Sequence, residues 1–102
     1  MVHVAGTAPV WPDGHVDPDP LVQARRCWQI ALDALGQAGG DVTAVVRTRT
    51  FLTDRRYEAA ASQAHGELFG QVRPASTMLV VAGLLDPRWL LEVELDAFVP
   101  ED

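Results

Sequence analysis

The chain lacks lysine altogether and has a single cysteine, so its eight cationic side chains among 102 residues are all arginine. Against them stand 14 Asp and Glu, for a net charge of −6. Binding along a phosphate backbone needs a surplus of clustered cations, so nucleic acid is not an expected partner. The lone Cys27 can form no internal disulfide, and no Cys/His spacing resembles a zinc site. A reducing compartment and no structural metal are therefore expected. No apolar run approaches the roughly 20 residues that span a bilayer, and no basic segment precedes an apolar one at the N-terminus. The expectation is a cytoplasmic protein without a membrane partner.

What remains is an ordinary globular composition, 48% hydrophobic and 22% charged, far from that of disordered chains. At this length one domain, residues 1–102, with one core is the economical reading. So small a chain buries a modest share of its surface and gains from covering more of it with copies of itself.

Met1 to Ala5 reads as a short strand, followed by a loop from Gly6 to Pro20 rich in Pro, Gly and Asp, with a turn at Trp11-Pro12-Asp13-Gly14. Asp19 then caps a helix that has Pro20 at its first position. Leu21, Ala24, Cys27, Trp28, Ala31 and Leu35 recur along it at three-to-four spacing until Gly39-Gly40. Val42 to Leu52 alternates as a strand, and Thr53 or Asp54 caps a second helix carrying Tyr57, Ala60, Ala61, Ala64 and Leu68, ended by Gly70. Thr77 to Ala82 is an apolar run of strand length, and Trp89 to Val99 a final strand expected to pair with it as a hairpin. Strands alternating with helices predict an α/β (α+β) domain whose two helices lie on one face of a mixed sheet.

Alternation divides the last strand into an apolar face, Leu91, Val93, Leu95 and Ala97, and an acidic one, Glu92, Glu94 and Asp96. The helices can cover only the first. Arg47 and Arg49 fall with the carboxylates, as do Phe51, Leu90 and Phe98. Cross-strand ion pairs on a solvated face are the plainest account, but aromatics among opposite charges also suit an interface or a cleft. Cys27 and Trp28 read as core residues. His65 reads as packed within the subunit or at a helix surface, and His3 and His15 have no partner legible in the sequence.

Several segments, in order and at family spacing, resemble the RidA (YjgF) family of reactive-intermediate deaminases. They are Ala5-Gly6-Thr7-Ala8-Pro9, the passage from Val45 to Asp54, Arg73-Pro74-Ala75-Ser76-Thr77-Met78, and Glu92-Val93-Glu94. The resemblance implies a homotrimer with sheets facing inward as a barrel and three clefts between subunits. It also implies cofactor-free and metal-free hydrolysis of small imines and enamines. On this footing Glu94 matches the family's catalytic glutamate, while Gly6, Thr7, Ser76, Thr77 and Arg73 fall at or beside its substrate-binding positions. The chain departs from the pattern at Ser76, where the family carries an arginine that clamps the substrate carboxylate. A hydroxyl supplies neither that charge nor its fork. Thr7 stands for a glutamine, Ser62 for a common asparagine, and the family's N-terminal hairpin with its Gly-Pro-Tyr-Ser motif is absent from the sequence. The implied function is a divergent RidA-like protein acting on a small imine, enamine or carbonyl intermediate; the alternative is a non-catalytic metabolite-binding or scaffold trimer.

Overall fold

In the computed structural model, which describes residues 1–100, four strands and two helices follow one another as β1 (Val2–Thr7), α1 (Pro20–Gln37), β2 (Val45–Leu52), α2 (Glu58–Phe69), β3 (Ala75–Val80) and β4 (Leu91–Ala97). Helix α1 starts where predicted. The Asp19 carboxylate accepts hydrogen bonds from the backbone N–H groups of Leu21, at 2.8 Å, and Val22, at 3.1 Å, and Pro20 follows at the first helical position. It stops at Gly39, whose φ of +90° only glycine adopts at little cost, while the Gly40 N–H turns back to the Leu35 carbonyl. Helix α2 follows a 3-10 turn, Arg55–Tyr57, capped by Asp54. Its inner positions Ala61 and Ala64 let the helix lie close, and Phe69 rather than Leu68 completes its buried side.

The sheet runs β1-β4-β2-β3. Strand β4 is antiparallel to both β1 and β2, and β3 pairs only with β2, in parallel. The expected hairpin of the last two strands does not form: β4 crosses to the middle of the sheet and leaves β3 at its edge. A connection from Val81 to Leu90 is long enough for that crossing, and the central place buries every second residue of β4 under the helices. Leu91, Val93, Leu95 and Ala97 are all buried. The segment Val42–Ala44 is a 3-10 turn instead of the start of β2, and a bulge between Val45 and Arg47 turns Val45 into the core and Val46 out. The core is otherwise the expected stripe of α1, with Trp28 set edge-on to Phe69 at 4.9 Å between ring centres.

One buried polar residue joins two connections. Gln23 Nε2 donates to the carbonyls of Asp17, at 2.8 Å, and Arg88, at 2.9 Å, and its Oε1 accepts from the Leu90 N–H at 2.8 Å. Both of its N–H donors and its carbonyl oxygen are bonded to backbone, which is what allows an amide to be buried on the apolar side of α1.

Candidate functional site

Strand register arranges the face of the sheet opposite the helices in rows. His3, Asp96, Arg47 and Ala75 form one; Glu94, Arg49 and Thr77 the next; Glu92, Phe51 and Leu79 the third. Arg49 lies at the centre of the charges. Its Nη1 is 3.0 Å from Glu94 Oε1 and 3.7 Å from Asp96 Oδ2, and Asp96 Oδ1 is 2.8 Å from His3 Nδ1. His3 therefore has a partner that alternation alone does not reveal. Glu94 is held in a part-buried ion pair within the chain.

Glu92 differs. Among the described residues it makes no ion pair or side-chain hydrogen bond, and its carboxylate lies against β1 at Gly6. A methyl group on Gly6 would stand 3.7 Å from Glu92 Oε1, in ordinary van der Waals contact, so the bare glycine leaves room for a small group beside the carboxylate. Phe51 flanks it on the other side in the register, and Leu79 beyond is 46% exposed. The result is an unpaired carboxylate next to open backbone and an apolar wall.

The remaining residues of interest are divided between the two faces. Thr77 is exposed on the charged face, in register with Arg49. Thr7 is buried, and its hydroxyl donates to the Ala5 carbonyl at 2.9 Å. Arg73 sits in the turn into β3 with φ of +56°, its N–H bonded to the Phe69 carbonyl and its side chain exposed. That backbone conformation is uncommon for a side chain of this kind. Ser76 is exposed at the sheet edge, yet its hydroxyl is directed to the helix side. Thr48 Oγ1 lies 3.0 Å from Ser76 Oγ and 2.8 Å from His65 Nε2. Within the chain Ser76 and Glu94 thus point to opposite sides of the sheet, whereas Gly6 and Glu92 come together.

His65 is half-buried, its ring centre 4.7 Å from that of Phe69 and 5.8 Å from that of Trp28. Burial pushes its pKa below the ordinary imidazole value, since the aromatic shell disfavours the cation. Cys27 lies beneath β4, with its thiol 3.9 Å from the Leu91 carbonyl. Among the described residues no three His, Cys, Asp or Glu side chains are grouped to hold a metal ion, and no helix is long and apolar enough to cross a membrane.

One feature could not be found by reading the sequence. Alternation places Glu92 and Glu94 on the same face and gives no means of telling the paired from the unpaired; only the register of β1 and β2 on β4 does so. The Thr48 contacts did leave a trace, because a hydroxyl on the core face of a strand must find partners.

Residues 1–99 match the family model described as Endoribonuclease L-PSP. An uncharacterized protein of Streptomyces coelicolor, SCO2049, is 39% identical over 98 residues, covering 95% of this chain and 73% of its own. The crystal structure of Rv2704 from Mycobacterium tuberculosis, a member of the YjgF/YER057c/UK114 family, superposes with a TM-score of 0.86 at 36% identity, covering 95% of this chain and 77% of that one. The YjgF gene product of Escherichia coli superposes with a TM-score of 0.85 at 27% identity, over 93% and 77% of the two chains.

Proposed function

We propose that this chain, which belongs to the Endoribonuclease L-PSP (YjgF/RidA) family, acts on a small reactive imine, enamine or carbonyl compound, held against the open face of the sheet in clefts closed by further copies of itself. The observation that carries this reading is the Glu92 carboxylate, without an ion-pair partner and set beside Gly6 and Phe51. Glu94 fits the role less well because Arg49 already occupies its oxygen.

The chemistry asked of Glu92 is modest. A carboxylate takes a proton from water as its oxygen adds to the C=N carbon. Proton transfer to nitrogen and cleavage of the C–N bond then release ammonia and a carbonyl compound, one water being consumed for each imine. No cofactor or metal is required. At Ser76 the chain offers a neutral hydroxyl where a guanidinium would clamp a carboxylate, so a substrate with a neutral reacting end suits it better than a small amino-acid-derived anion.

A homotrimer with inward-facing sheets would cover Phe51 and Leu79 and bring the edge strand β3 of one copy toward another. Exposed Phe98, at 57%, supports such a covering. The family's description names ribonucleolysis, but a net charge of −6 and the row Glu92, Glu94, Asp96 offer no track of cations for phosphates. The Arg49 lock on Glu94 and the loss of the clamping arginine favour the alternative, a non-catalytic metabolite-binding or scaffold trimer.

Ammonia and keto-acid release from 2-iminopropionate or 2-aminoacrylate generated in situ separates the two. Slow turnover above the spontaneous rate is expected, lost in Glu92→Gln and kept in Glu94→Gln. A wild-type rate equal to the spontaneous one across a panel of imines would leave only the binding role. A monomer by light scattering would remove the clefts and the proposal with them.

A further inference from the structure

The buried hydroxyl of Thr48 is 0% exposed and touches two side chains, His65 Nε2 at 2.8 Å and Ser76 Oγ at 3.0 Å. Threonine has one hydroxyl proton and two lone pairs. The two distances fit a line in which Thr48 gives that proton to Ser76 and accepts a hydrogen bond from His65 Nε2–H. Ser76 then receives a hydrogen bond from within, and its own proton is left to point away from Thr48 at the exposed sheet edge. Three elements hold the line in place: α2 supplies His65, the central strand β2 supplies Thr48, and β3 supplies Ser76. Trp28 of α1 and Phe69 of α2 pack on the imidazole, so the groups facing the ring are two aromatics and a hydroxyl, none of them charged.

We infer that His65 is a positioning residue which, acting through Thr48, fixes the Ser76 hydroxyl as an outward hydrogen-bond donor for a neutral acceptor, the carbonyl oxygen or imine nitrogen of the ligand. This rests on the reading that the β3 edge borders the ligand cleft. A guanidinium presents charge and two parallel donors, whereas a relayed hydroxyl presents one oriented donor and no charge. The relay thus accounts for what stands at the departed arginine position and names the substrate class that position selects.

The coupling is measurable without a ligand. Nitrogen NMR of the histidine rings distinguishes the Nε2–H from the Nδ1–H tautomer and follows the titration of His65. The wild type is expected to hold Nε2–H. In Ser76→Ala, an exposed change two hydrogen bonds from the ring, the Thr48 proton loses its acceptor and turns to the imidazole. The tautomer ratio then moves toward Nδ1–H by roughly fivefold, the size of one neutral hydrogen bond. Thr48→Ser should keep the wild-type pattern and Thr48→Val should abolish the coupling. An unchanged tautomer and titration in Ser76→Ala would overturn the relay. In the imine assay, the pH profile of turnover should carry an inflection that follows His65 in the wild type and Thr48→Ser and vanishes in Thr48→Val; turnover without it would overturn the positioning role. A coupled ring with no imine turnover in any variant refutes the functional reading and leaves the relay standing.

Discussion

Treatment with a thiol reagent probes the packing of α1 on the sheet at Cys27. Its side chain is fully buried between the helix and β4, and both desolvation and the negative charge of Glu92 push its pKa well above the ordinary thiol value. The native protein therefore exposes neither the sulfur nor its thiolate, and reaction must wait until the helix leaves the sheet. A domain of this size has a stability of at least about 5 kcal/mol. At one factor of ten per roughly 1.4 kcal/mol, opening is populated less than about once in several thousand molecules. Ellman's reagent at pH 8 should consequently modify the native protein at least about a thousandfold more slowly than the same chain in denaturing urea, with full reaction of one thiol once unfolded. Labelling within tenfold of the unfolded rate, with native circular dichroism retained, would refute the placement of Cys27 and with it the seating of α1.

Other substitutions probe single contacts. Gln23→Ala strands the carbonyls of Asp17 and Arg88 and the N–H of Leu90, and should lower stability by about 3 kcal/mol in urea denaturation, given roughly 1–3 kcal/mol per buried unsatisfied group and some access to water. Gly40→Ala places a methyl 2.8 Å from Leu35 Cδ1 and Val99 Cγ2. As Leu35 is buried and cannot retreat, a cost of about 1–3 kcal/mol is expected, read as a lowered Tm. Asp19→Ala removes two cap hydrogen bonds and should cost about 1 kcal/mol, visible by denaturation and by faster amide exchange at Leu21 and Val22. His65 has a folded pKa below its unfolded value of about 6.5, so the unfolded chain binds the extra proton first as pH falls. Stability should therefore be complete above about pH 7 and decline below about 6.5; His65→Gln should flatten that part of the Tm profile, and an unaltered slope would refute the burial of the ring.

The local elements were legible because their signals are local. Asp19-Pro20, the stripe from Ala24 to Leu35 and the Gly39-Gly40 stop fix α1 through capping, periodicity and φ, each decided within a few residues. The alternation of β4 likewise predicted its buried and charged faces. Strand neighbours were not legible in this way. Hydropathy does not say which strand lies beside which, so β3 and β4, adjacent in sequence, looked like a hairpin while β4 in fact enters between β1 and β2. The site depends on that non-local information. Glu92 is distinguished from Glu94 only by Gly6 across one strand boundary and Arg49 across the other, and Ser76 meets His65 only through a residue 28 positions before it.

The central place of β4 also governs when the molecule can form. Among the strands, β1 pairs only with β4, and β2 has only its parallel partner β3 until β4 arrives. The segment that joins the two halves of the sheet is thus the last of the four strands to be synthesised. During synthesis the earlier part can build α1, α2 and a β2–β3 pair, but its apolar face lacks Leu91, Val93 and Leu95. Completion of the sheet therefore waits until β4 has emerged, and until then the unfinished face is open to association.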